Sequence, residues 1–141
     1  MPDYSVVLTP TAETIYRKLH DDAQSCIDAG DTSNAKLTLM RMVDDAIDNI
    51  IPHDPFNVGN ALSGSLSNIF RVKKGRLRIY YAASSKERKI VILYISESLR
   101  KAGDAHDPYS VFARMVLKGR FDEVFASLGV RKNIQVGQQF N

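Results

Sequence analysis

The sequence predicts an α+β protein in which an N-terminal strand and an antiparallel helical hairpin pack on a small, mainly antiparallel sheet, followed by a C-terminal helix. Three observations carry that expectation. Apolar residues recur at helical spacing from Ile15 to Ile27 and again from Leu39 to Ile50, the period drops to two between residues 66 and 81, and residues 89–95 form an almost unbroken apolar run. Helices that precede a cluster of strands indicate segregated layers rather than alternating β-α units.

The elements follow in order. Tyr4-Ser5-Val6-Val7-Leu8 is a β-prone run stopped by Thr9-Pro10, a pair suited to capping and starting a helix. Ile15, Leu19, Ala23 and Ile27 then line one helical face as far as Gly30. Asp31 or Thr32 is expected to cap a second helix, whose stripe of Leu39, Val43, Ala46 and Ile50 runs to Pro52. So short a connection demands an antiparallel hairpin. Cys26, the single cysteine, can form no internal disulfide and is read as a small near-core residue.

Pro52, Pro55, Gly59 and Gly64 mark residues 51–64 as a loop crossing to the sheet. Ile69-Phe70-Arg71-Val72-Lys73, a turn at Lys74-Gly75, and Arg76-Leu77-Arg78-Ile79-Tyr80-Tyr81 read as a β-hairpin. The run Lys89 to Ile95 is expected to be the central strand, buried on both faces. Asp107-Pro108 is a cap and first-turn pair for a helix carrying Val111, Phe112, Met115 and Val116 to Gly119, and a short helix over Phe121 to Leu128 follows. A composition of 44% hydrophobic and 25% charged residues fits one globular core, read as a single domain over residues 1–128 with a tail at 129–141.

No apolar run approaches the roughly 20 residues of a membrane-spanning helix, and Met1-Pro2-Asp3 does not begin a signal peptide. The expectation is a cytoplasmic protein with no membrane partner. His20 and His53 have no companion at ligand spacing, so no metal is assigned, and the glycines form no phosphate loop that would hold a cofactor.

The net charge of +3 hides an asymmetry: residues 1–61 hold 4 Lys and Arg against 10 Asp and Glu, whereas residues 62–141 hold 15 against 6. A basic half attracts polyanions. Alternation puts Arg71 and Lys73 on one strand face and Phe70 and Val72 on the other; it puts Arg76, Arg78 and Tyr80 together opposite Leu77, Ile79 and Tyr81. Both apolar faces must meet one core, so the cationic faces coincide in a basic plate edged by an aromatic. Arginine presents a two-pronged donor array to phosphate, and an interleaved tyrosine can stack on a base or donate its hydroxyl. The plainer reading is a solvated sheet face dressed in lysines that discourage edge pairing. Two further cations at the sheet rim, Arg100 and Lys101, favour a grip on phosphate-rich nucleic acid, with single-stranded RNA the natural ligand.

The ordered set Ile69 to Lys73, Gly75 to Tyr81, Val91 to Ser96 with Arg100, and Asp107 to Phe112 resembles the RelE/ParE superfamily of bacterial toxins from toxin–antitoxin pairs, especially its YhaV-like members. The resemblance covers roughly residues 62 to 124. It implies a RelE-like fold and a metal-independent endoribonuclease that cleaves messenger RNA, often on the ribosome, and is silenced by a co-encoded antitoxin. The ribose 2′-hydroxyl attacks in such enzymes, so cations that position the phosphate and stabilise its charge do most of the work. By position, Arg78 would bind the scissile phosphate, Arg100 would stabilise charge or protonate the leaving oxygen, and Tyr109 would take part in the reaction. Arg71, Lys73, Arg76 and Lys101 would hold RNA, with Tyr80 and Lys74 as bystanders. Tyr109 is equally readable as a helix-start aromatic packing on the core, and His106 is an alternative proton carrier. Two other outcomes stay open: a ParE-like inhibitor that binds DNA gyrase without catalysis, and an inactive RNA-binding relative.

Overall fold

The computed structural model describes residues 4–63, 66, 68–97 and 107–130. Arg100, Lys101, His106 and most of the expected tail lie outside the described residues. β1 (Ser5–Leu8) leads into α1 (Pro10–Asp28), and α2 (Ala35–Asp45) returns along it. β2 (Phe70–Lys74), β3 (Leu77–Ser84) and β4 (Lys89–Ser96) follow, then α4 (Pro108–Leu117) and α5 (Asp122–Leu128), with α3 (Ile51–His53) the last short turn of the helical hairpin. The sheet order is β1-β4-β3-β2, with β1 parallel to β4 and the other neighbours antiparallel. The fold is therefore the expected α+β class, with β4 between two partners as its apolar run requires. No described helix is long and apolar enough to cross a membrane.

Local chemistry sets most boundaries. Thr9 caps α1: its hydroxyl accepts the Ala12 N–H at 3.1 Å and Pro10 fills the first turn, where a missing N–H is harmless. α2 begins later than expected, because Asn34 rather than Asp31 or Thr32 accepts from the Lys36 N–H at 2.9 Å, while Asp31 receives the Asn34 amide. Nor does Pro52 end the hairpin. A π turn, Ala46–Ile50, widens the helix before it, and Pro52 sits in the first turn of α3. In α1 the core-facing residues are Ala12, Leu19 and Ala23 with Cys26 half-buried beside them, whereas Ile27 is 50% exposed.

The sheet is covered on both sides. Leu19, Val43 and Ile47 of the hairpin pack on Val72, Ile79, Tyr81, Ile92 and Ile95. On the opposite face Phe112, Val116, Phe121 and Phe125 of the C-terminal segment pack on Tyr80, Ala82, Val91 and Leu93. Of the basic plate expected on that face only Tyr80 is roofed; Arg71 and Arg78 are half-buried at the edge of this layer, and Lys73 and Arg76 are exposed.

A β-bulge explains how β4 serves both layers. The pairing shifts from Tyr80↔Tyr94 to Tyr81↔Ile92, leaving Leu93 without a cross-strand partner. Strict alternation breaks there, so Leu93 and Tyr94 both turn to the second core while Ile92 and Ile95 stay in the first. The Thr9 hydroxyl donates to the Leu93 carbonyl at 2.9 Å, and the Thr9 N–H donates to the Ile92 carbonyl at 3.0 Å. The helix cap thus satisfies the carbonyl of Leu93, the residue that the bulge takes out of the ladder.

Candidate active site

The β2–β3 hairpin turns at Gly75-Arg76, one residue later than the expected Lys74-Gly75, with Lys74 paired to Leu77. Gly75 at φ +55° explains the choice: a two-residue hairpin loop needs a left-handed first position, which lysine would strain. The register moves by two residues across the pair, so the faces are unchanged. Arg71, Lys73, Arg78 and Tyr80 share one side, with Arg71 opposite Tyr80 and Lys73 opposite Arg78. Arg76 leaves the strand face and sits exposed in the turn.

Two like charges directly opposite across a sheet repel, and the Lys73–Arg78 pair is held by the fold rather than by mutual attraction. The Arg78 guanidinium is tied down by its own hairpin: Nη1 donates to the Gly75 carbonyl at 2.6 Å and the Leu77 carbonyl at 2.9 Å. A guanidinium carries five N–H donors, so this anchorage orients the group while keeping further donors for a ligand.

The N-terminus of α4 meets these cations. Asp107, 4% exposed, caps the helix, one carboxylate oxygen accepting the Ser110 N–H and the other the Ser110 Oγ–H, each at 2.9 Å. Negative charge at a helix start is favoured by the helix dipole. Arg71, Lys73, Arg78, Tyr80, Asp107, Pro108 and Tyr109 together line a cleft of about 240 Å³. The structure therefore gathers four residues singled out from the sequence, Arg71, Lys73, Arg78 and Tyr109, in one concavity. Tyr109 stands at its mouth, 39% exposed.

Tyr80 is the residue whose state could not be read from strand alternation. Its ring lies 4.2 Å from that of Phe112, nearly parallel at 17°, and is fully buried, so it cannot stack on a base. Burial pushes its phenol up to about 12, against the pull of the Arg71 and Arg78 guanidiniums. Its hydroxyl is buried and makes no hydrogen bond of good geometry, the Arg71 guanidinium acting on it only as a donor; a buried hydroxyl whose proton has no acceptor costs roughly 1–3 kcal/mol. Asp107 was legible as a helix cap but not as a wall of the cleft, because its placement depends on how α4 docks on the sheet.

A larger concavity, about 370 Å³, lies between β1 and the helical hairpin. Its lining of Tyr4, Val6, Leu8, Tyr16, Ile47, Asp48 and Pro52 contains no cation, and the Tyr16 hydroxyl already donates to Asp44 at 2.7 Å. It offers nothing to a phosphate.

Residues 7–132 match the model of the YhaV toxins, a family described as toxins with endonuclease activity from toxin–antitoxin systems. No curated protein matches the chain. Among solved structures, the toxin–antitoxin complex RelBE2 from Mycobacterium tuberculosis is similar, with a TM-score of 0.50 and 22% identity over 71% of this chain and 97% of that one. At that identity the likeness is one of fold.

Proposed function

Because the chain belongs to the YhaV family of toxin–antitoxin toxins with endonuclease activity, we propose that it cleaves messenger RNA without a metal ion, on the ribosome, and so arrests translation and growth. One observation supports this reading above the others: three cations, Arg71, Lys73 and Arg78, line one small cleft together with Tyr109.

The chemistry asks little more of the protein. The ribose 2′-oxygen attacks the adjacent phosphorus; the O2′–P bond forms, the P–O5′ bond breaks, and the products are a 2′,3′-cyclic phosphate and a 5′-hydroxyl. The 2′-hydroxyl loses a proton and the leaving oxygen gains one. Arg78, oriented by the turn carbonyls, holds the scissile phosphate and offsets the charge that builds on its oxygens. Arg71 and Lys73 hold the strand in line. Tyr109, at the mouth, moves a proton. In this reading Arg100 stabilises charge on the leaving oxygen or protonates it, and Lys101 and Arg76 hold RNA. The 2′-hydroxyl requirement restricts the activity to RNA. A co-encoded antitoxin silences the toxin, and the cytoplasm, where messages and ribosomes are, is its place of action.

Expression without antitoxin should arrest growth and leave transcripts with new 5′-hydroxyl ends, which ligation-based end mapping detects. Arg78→Ala should abolish both while the purified protein keeps its circular dichroism spectrum. Arrest with intact transcripts and inhibited DNA gyrase would replace this reading with that of a non-catalytic gyrase inhibitor.

A further inference from the structure

Among the described residues the Tyr80 hydroxyl is a fully buried polar side-chain atom that makes no hydrogen bond of good geometry. It cannot swing out to find one: the ring is stacked on Phe112 at 4.2 Å and flanked by Tyr94 at 6.1 Å. The residue nevertheless lines the cationic cleft, directly across the sheet from Arg71. Arg71, Lys73 and Arg78 are donors without acceptor capacity. The Asp107 oxygens already accept from Ser110. The hydroxyl therefore belongs to a site whose cations, Arg71 foremost, can donate to it but cannot accept its proton, and whose surplus positive charge selects an anionic acceptor.

Resting on the RNA-cleavage reading above, we infer that Tyr80 is a further substrate-binding residue, whose hydroxyl donates a hydrogen bond to a non-bridging oxygen of the phosphodiester held by Arg71, Lys73 and Arg78. Burial keeps this phenol protonated far above neutral pH, so it serves as a fixed donor and takes no proton from the 2′-hydroxyl. A donor set in place before substrate arrives needs no reorganisation when charge develops on the phosphate. The stack on Phe112 thereby acquires a role beyond packing: it aims the hydroxyl.

Tyr80→Phe tests this, because it removes one oxygen and keeps the ring. Binding of a 2′-O-methyl oligoribonucleotide, which cannot react, should weaken roughly tenfold to a hundredfold, the worth of a hydrogen bond to a charged group. The melting temperature of the free variant should equal or exceed that of the wild type, since an unpaired polar group is gone. In wild-type protein carrying 13Cζ-labelled tyrosine, the resonance absent from Tyr80→Phe should move on adding the same oligonucleotide. Binding by the variant within twofold of wild type, a Tyr80 resonance that does not move, or no binding by wild type overturns the inference. Wild-type protein that binds this oligonucleotide yet leaves messages uncut both free and on translating ribosomes overturns the cleavage reading alone, and Tyr80 is then judged on binding.

Discussion

Arg71, Lys73 and Arg78 supply much of the positive field of the cleft, and salt separates their roles. For single strands each phosphate neutralised contributes about 0.7 to the slope of log affinity against log salt. Arg71→Ala should therefore flatten that slope by about 0.7 in fluorescence titrations with non-cleavable RNA. Tyr109 answers to a different measurement. If it moves a proton, Tyr109→Phe lowers the single-turnover cleavage rate by roughly 10²-fold or more with little change in affinity; an unchanged rate makes it a packing residue. The three cations were legible in the sequence because period-two alternation is a property of the strand itself. Tyr80 was legible only as sharing their face: its burial under Phe112 joins residues far apart in the chain, and no local pattern encodes that.

Short-range chemistry governs the elements wherever a cap or turn decides them. Thr9-Pro10 and Asp107-Pro108 start their helices as their residue types require. The hairpin turn depends on Gly75 at φ +55°. Gly75→Ala should cost about 1–2 kcal/mol in urea unfolding, the penalty of a left-handed conformation in a residue with a Cβ; Gly75→Asn should cost less, since asparagine tolerates that region. Thr9 carries more than its cap. Thr9→Val removes the acceptor for Ala12 and the donor to the Leu93 carbonyl, and a loss of about 1–3 kcal/mol is expected by the same assay. Thr9→Ser, which keeps the hydroxyl, should recover most of it. The bulge at Leu93 was not legible, because an unbroken apolar run looks the same whether its residues alternate or one is inserted.

At the scale of the molecule, two helical layers clamp one sheet, and Tyr80 and Tyr81 anchor opposite faces of the same strand. Burial pushes both phenols up to about 12. In the unfolded chain they titrate near 10, so above that pH the unfolded state binds fewer protons than the native one and stability falls as pH rises. Their contribution is complete below pH about 10 and lost as pH climbs through about 12. Urea unfolding across that window should fall more gently for Tyr80→Phe than for wild type, by up to about 1.4 kcal/mol per pH unit. By itself the sequence determined the α+β class, the hairpin and the shared face of Arg71, Lys73 and Arg78, because helical and strand periodicities and turn chemistry act over a few residues. Tertiary structure alone decided that β1 joins parallel to β4, that α4 and α5 roof the second sheet face, and that the basic hairpin becomes a cleft with a buried hydroxyl at its side. Those outcomes depend on which apolar surfaces meet across the sheet, a long-range choice made by packing.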